Sequence, residues 1–242
     1  MSAPGIAAFA VHIGADIAAA GPGAYWPLTP LSRDTARRIT RLCWRAGITA
    51  QRTLTGPRAT IAAVQAAIAE AVASLGQAAA KRAGASRFVI SFSGHCVRGD
   101  GPVGSTRWCL HDGGLQLADL ADQLAQLPVD TQLVIICDSC HASAVADVLH
   151  GPQPAIVLAS CGEDQTMLER ERSEFAVRLE RGFRGARPPQ TLDELRELLA
   201  DDTPDCERPV VWTNQQPGST RALLPAAALR RNSSGDVPAT FR

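Results

Sequence analysis

The chain has 242 residues, 45% hydrophobic and 5% aromatic, with 24 Lys+Arg against 24 Asp+Glu. A net charge of zero excludes the long-range pull that brings a protein to nucleic acid or an anionic membrane. The apolar content excludes a disordered chain, and the length fits one large α/β domain or at most two small ones. No run of about 20 apolar residues is evident, so no membrane span is expected. The N-terminal MSAPGIAAFAVHIGAD lacks a basic region ahead of its apolar run and reads as a first strand, not a signal peptide. Seven cysteines, an odd number, without secretory features argue for reduced thiols and a cytoplasmic setting.

Short apolar runs alternate with helical patterns along the chain. Ile6 to Ile13 reads as a strand. Asp34 to Ala46 carries Ala36, Ile39, Leu42 and Cys43 at helical spacing, and Gly47 ends it. Thr49 to Leu54 is a short strand, followed by an Ala-rich helix over Ala59 to Ala83. Arg87 to Ser93 (RFVISFS) is β-rich. Gly101 to Gly114 reads as a glycine-bounded hairpin, and Leu117 to Leu127 as a helix stopped by Pro128. Gln132 to Asp138 (QLVIICD) is a buried strand, His141 to His150 helical, and Ala155 to Ser160 another buried strand. Helices over Glu174 to Arg181 and Leu192 to Ala200 and a strand over Pro209 to Thr213 complete the pattern. Strands joined by helices are the βαβ signature, and their all-apolar character predicts a mostly parallel sheet covered on both faces. The expected organisation is one domain over 1–225 and a disordered tail over 226–242.

In such a sheet, reactive groups gather beyond the carboxyl ends of the strands. RFVISFS runs into Gly94-His95-Cys96, and QLVIIC into Asp138-Ser139-Cys140-His141. If those strands are neighbours, His95 and Cys140 face each other, a thiol nucleophile and its base. The N-terminus of a helix opening at His141 would stabilise the thiolate. Cys137 and Cys140 also form a CxxC, which with His95, Cys96 and His141 offers a zinc site; a thioredoxin-like redox pair is the other CxxC reading. Asp34 and Asp138 each have a simpler use in capping a helix.

FSGHC followed by VIICDSCHASA resembles the His and Cys motifs of the caspase-like peptidases, a group spanning caspases, metacaspases and bacterial relatives such as orthocaspases. Their usual forms are Ser-Gly-His-Gly and Asp-Ser-Cys-His-Ser-Gly. Leu31-Ser32-Arg33-Asp34-Thr35 is similar to the family's Asn-Asp-Ala element, Leu54-Thr55 with Ala59-Thr60 to its Leu-Thr and Ala-Thr pattern, and LASCGEDQ followed by Phe175 to its Ser-Ala-Cys, Asp-Gln and Phe-Thr stretch. The resemblance spans about residues 5 to 225 and implies a caspase-hemoglobinase-like three-layer α/β fold, with a roughly six-stranded, mostly parallel sheet between helices.

It further implies a cysteine endopeptidase with Cys140 as nucleophile and His95 as general base and acid. The backbone N–H groups of Cys96 and Cys140 would form the oxyanion hole. Asp34 and Asp138 would line S1, selecting Arg or Lys through charge-assisted hydrogen bonds. Cys96 stands where the family has glycine, so its side chain either narrows the cleft or leaves an ordinary backbone unchanged. A Cys96–Cys140 disulfide is a further expectation of their proximity. No organic cofactor is implied; calcium is a minor candidate through Asp112, Asp119, Asp122 and Asp147. The expected partners are a protein substrate and an activating protein or upstream signal, with no nucleic acid and no membrane. The family's bacterial members suggest a cytoplasmic protease regulated in cell death or antiphage defence, and the Arg-rich stretch from Glu169 to Arg187 a self-cleavage site. The alternatives are a catalytically impaired interaction module and a zinc-binding regulatory domain.

Overall fold

The computed structural model describes residues 6–21, 24–27, 31–81, 86–99, 105–166, 173–185, 187–200 and 208–215. Six strands form the central sheet: β1 (Ala7–Gly14), β4 (Ala50–Thr55), β5 (Ser86–Ser93), β9 (Thr131–Asp138), β10 (Ala155–Ala159) and β11 (Val210–Thr213), in the spatial order β4-β1-β5-β9-β10-β11. All neighbours run parallel except β11, which is antiparallel to β10. The α/β fold and the mostly parallel sheet read from the sequence are present. Two small sheets were not expected in this form: a hairpin of β2 (Ile17–Gly21) and β3 (Ala24–Pro27), and a three-stranded sheet of β6 (Cys96–Val97), β7 (Arg107–Leu110) and β8 (Gly113–Gln116).

Strand alternation sorts the core into two layers. Phe9, Val11, Ile13, Phe88, Ile90, Phe92, Leu133, Ile135 and Cys137 face α2 (Ile61–Ala80), α3 (Leu117–Leu124) and α4 (Ala144–Val148). Ala10, Val89, Val134, Ile136, Ile156 and Leu158 face α1 (Leu31–Arg45), α5 (Glu174–Arg184) and α6 (Leu192–Ala200). Helix α1 ends where Gly47 takes a φ of 85°, a conformation glycine adopts without steric penalty.

Helix α2 bears on the expected absence of a membrane span. Its 20 residues are long and apolar enough, by length and composition, to cross a membrane. Here Val64, Ala67, Ile68, Ala71 and Leu75 pack into the core, and Thr60 caps the first turn by accepting from Ala63 N. Its length follows from alanine's helix propensity and its polarity from one face lying on the sheet. A correction concerns 141–150: only Ala144–Val148 is helical, and His141 has a φ of 52°, outside the helical region. The tail 226–242 lies outside the described residues.

Candidate active site

The register of the two central strands brings the motifs together. β5 and β9 pair in parallel from Ser86 with Thr131 to Ser93 with Asp138. His95 and Cys140 therefore each lie two residues past the same register pair, at the carboxyl edge of adjacent strands. Gly94 N–H donates to Asp138 O at 3.4 Å, so the two chains stay together beyond the formal strand ends. The sheet order reverses between β1 and β5, next to the strands that carry the two motifs, and α/β sheets tend to place ligands at the carboxyl edge beside such a reversal. Gly94 is favoured by sterics: a Cβ there would lie 2.9 Å from Phe92 Cζ and 3.1 Å from Ala15 Cβ, so Phe92 would have to shift.

Burial singles out one thiol. Cys43, Cys96, Cys109, Cys137 and Cys161 are buried, while Cys140 has solvent access. Burial pushes the thiols of Cys43 and Cys137 up to about 12 and raises those of Cys96, Cys109 and Cys161. Burial thus disfavours the thiolate at all five and withholds them from solvent. Cys206 lies outside the described residues.

Cys96 sits in β6 opposite Trp108, and Cys109 N–H donates to His95 O at 2.9 Å. That bond makes Cys96–Trp108 a non-hydrogen-bonded pair of the ladder, so the Cys96 N–H points away from β7, off the open edge of the small sheet. Its side chain is in the core layer that holds Trp108, which stacks on Phe92 with centroids 4.5 Å apart at 4°. Among the described residues His141 is the one non-glycine with positive φ, so the Cys96 backbone is of the ordinary kind that any residue adopts. Of the two expectations for Cys96, the one in which it leaves the backbone unchanged matches this geometry.

The two candidate S1 acids sit in different surroundings. Asp138, the last residue of β9, is 4% exposed and accepts from Thr35 Oγ1 at 3.2 Å. Asp34, one residue earlier on α1, has a side chain 47% exposed and accepts from Arg38 Nε at 2.7 Å. Arg38 Nη1 also donates to Glu180 Oε2 on α5, at 2.7 Å, and its pKa is raised, first by Asp34. The first turn of α1 thus brings Asp34 and Asp138 to one end of the sheet, while Asp34 spends its carboxylate on a neighbouring arginine.

The turn that follows Cys140 is held by the loop after β10. His141 N–H donates to Gln165 O at 2.9 Å and Ser143 N–H to Cys161 O at 3.2 Å. These donors are already engaged, and α4 is a five-residue helix, so the expected stabilisation of a Cys140 thiolate by a helix N-terminus is corrected. The thiol of Cys161 donates to Ser139 O at 3.2 Å, and Ser160 Oγ accepts from Ser139 N–H at 3.3 Å.

Other candidates are dispersed. Cys137 is wholly buried with its sulfur 3.3 Å from Ser139 Oγ, facing the layer opposite Asp138, so it does not converge with Cys140 on one ligand. Asp112 accepts from Ile61 N–H at 2.8 Å at the start of α2, and Asp122 lies 3.3 Å from His150. Among the described residues no group of three or more His, Cys, Asp or Glu side chains is spaced to hold a metal. Sequence reasoning missed Asp16, which is buried just beyond β1 and pairs with Arg33 at 2.6 Å. It also missed the role of Thr35; the Asp34–Arg38 pair was visible as an i,i+4 spacing.

No protein-family model and no curated protein sequence matches the chain. Among solved structures it is similar to protein GSU0716 from Geobacter sulfurreducens, at 18% identity and a TM-score of 0.73, over 91% of this chain and 98% of that one. The two share a fold along nearly their whole lengths. A more distant similarity links it to caspase-1 from Spodoptera frugiperda, at 11% identity and a TM-score of 0.49, over 85% of each chain. That likeness is too low to transfer chemistry.

Proposed function

We propose that the chain is a cysteine endopeptidase of the caspase-like kind, with Cys140 as nucleophile and His95 as its base. The carrying observation is the β5–β9 register, which sets His95 and Cys140 at equal depth past adjacent strands, with Cys140 the one described cysteine open to solvent. The resemblance of FSGHC and VIICDSCHASA to the family's motifs supports the same pairing.

In this reading His95 takes the thiol proton as Cys140 Sγ attacks the scissile carbonyl carbon. The oxyanion is met by the N–H groups of Cys96 and Cys140. As the C–N bond breaks, His95 returns the proton to the leaving amine, leaving a thioester. Water, deprotonated by His95, then hydrolyses the thioester and frees Cys140. Asp138, desolvated beside Thr35, supplies the negative charge for a P1 Arg or Lys, and Asp34 joins it when the substrate guanidinium replaces Arg38. A cytoplasmic role in regulated cell death or phage defence, with a protein partner or upstream signal as trigger, extends the family resemblance alone.

The test is hydrolysis of fluorogenic peptides with Arg, Lys or Asp at P1, with and without calcium. Turnover of Arg and Lys peptides, lost in Cys140→Ala and His95→Ala, supports the reading. Cleavage after Asp overturns the S1 assignment. No turnover, with Cys140 unlabelled by a peptidyl-Arg electrophile, leaves a non-catalytic interaction module.

A further inference from the structure

Among the described residues His141 is the only non-glycine in the left-handed region, with a φ of 52°. Histidine takes this conformation more often than most side chains do, yet it remains disfavoured against the right-handed region and persists when surrounding contacts hold it. The contacts are visible. The His141 Nδ1–H donates to Glu163 O at 2.5 Å, and the His141 N–H donates to Gln165 O at 2.9 Å. The accepting turn is itself braced: Gln165 N–H donates to Gly162 O at 3.2 Å, and Gly162 N–H to Gln165 Oε1 at 2.9 Å. Arg98, two residues after Cys96, pairs with Asp164, tying the same turn to the strand that carries the proposed oxyanion donor.

We propose that His141 is a positioning residue, whose imidazole bond to the 162–165 turn keeps the backbone after Cys140 left-handed and so aims Cys140 at His95. Its catalytic consequence rests on the peptidase reading; the aim of the thiol does not. A left-handed residue directly after the nucleophile reverses the chain sharply, which presents the preceding side chain at the tip of the turn. Without the imidazole bond, residue 141 relaxes toward the right-handed region and rotates Cys140 away from its base. Asn is the closest replacement, because it tolerates the left-handed region and its amide can donate to Glu163 O. Gly takes the conformation freely but offers no donor.

The experiment compares His141→Ala, His141→Asn and His141→Gly in the full chain. It reads the pH profile of Cys140 alkylation by iodoacetamide, kcat and KM on a P1-Arg peptide, and thermal unfolding. His141→Ala is expected to lower kcat about 10- to 100-fold, as sub-ångström to 1 Å misplacement does, with KM nearly unchanged. Its alkylation midpoint moves to higher pH, because the thiol has lost its base. His141→Asn restores both and His141→Gly restores neither in full. Wild-type kcat and alkylation profile in His141→Ala overturn the proposal, as does a loss that His141→Asn fails to reverse at unchanged thermal stability. Should His141→Ala fail to fold, His141→Gly decides by the same two readouts. If the wild-type protein cleaves no peptide, the peptidase reading falls by itself, and the alkylation profiles still decide the role of His141.

Discussion

His12 gives the sharpest quantitative expectation. It is wholly buried on β1, with Nδ1 2.9 Å from Ser91 Oγ and Nε2 2.9 Å from Gln51 Oε1. Burial lowers its pKa from 6.5 to about 4, opposed in part by the Gln51 bond. The folded protein therefore holds the imidazole neutral through a range in which the unfolded chain protonates it. Stability contributed by this group is fully present above pH 6.5 and is lost as pH falls toward 4. The fall from 6.5 to about 4 corresponds to about 3 kcal/mol once the loss is complete, and about 2 kcal/mol of it is gone by about pH 5. His12→Gln offers an amide to the same neighbours and does not titrate. Its own cost at pH 8 is expected to be about 1–2 kcal/mol, from imperfect hydrogen bonding. Urea unfolding followed by tryptophan fluorescence at a series of pH values between 8 and 5 measures both proteins. The gap between wild type and variant should close by about 2 kcal/mol across that range, and the sign should reverse near its acid end. Parallel curves for the two proteins would show that His12 does not carry the acid limb. Because β1 lies between β4 and β5, the same titration should loosen the framework beneath His95.

Alkylation of the native protein should label Cys140 and spare Cys43, Cys96, Cys109, Cys137 and Cys161, whose thiols burial holds protonated; peptide mapping by mass spectrometry reads this, and fast labelling of Cys96 would refute the burial argument. Gly94→Ala should destabilise by about 1–3 kcal/mol, since the new methyl meets Phe92 and Ala15, and should slow Cys140 alkylation by displacing His95. Asp138→Asn should weaken transition-state binding of P1-Arg peptides by about 2–5 kcal/mol, read as kcat/KM, and should leave the protection of the buried thiols unchanged. If the protein cuts itself in the Arg-rich stretch, the cut should fall outside Glu174–Arg184, because that segment is helical and a cleft binds extended chain; an N-terminus mapped within α5 would contradict this.

The parts of this structure that were legible in the sequence are those set by periodicity. RFVISFS and QLVIICD were readable as buried strands because a strand covered on both faces has no polar alternation, and both are buried throughout. Their adjacency is not readable from period alone: the sequence offers the His95–Cys140 pairing only on the condition that the strands are neighbours, and the parallel β5–β9 register supplies that condition. The turn after Cys140 reads as helical in the sequence because Ala142, Ala144, Val145 and Ala146 fit a helical pattern, while its shape depends on Glu163 and Gln165, more than twenty residues away. The same limit hid Thr35 and Asp16: their partners, Asp138 and Arg33, are fixed by how α1 lies over the ends of the strands, and no local rule places a helix laterally.

The two positions flanking His95 show how steric and chemical demands separate within one motif. At 94, β5 has ended but Phe92 and Ala15 still crowd the backbone, so a side chain enters only if Phe92 shifts. At 96, the chain has entered a new ladder in which the side chain points into the core and the N–H points off the edge. A cysteine there fills space beside Trp108 while the backbone donor keeps its direction, because in an extended strand side chain and N–H leave the chain at right angles. Departure from glycine at 96 therefore changes the packing beneath the cleft and leaves the proposed oxyanion donor where the fold sets it. Cys96→Gly tests the point: it should lower stability by removing a buried side chain beside Trp108, while kcat per folded molecule stays within about twofold, since the reacting groups do not move. A large gain in kcat would mean that the thiol had been obstructing the cleft, and that the ladder geometry at 96 does not hold in solution.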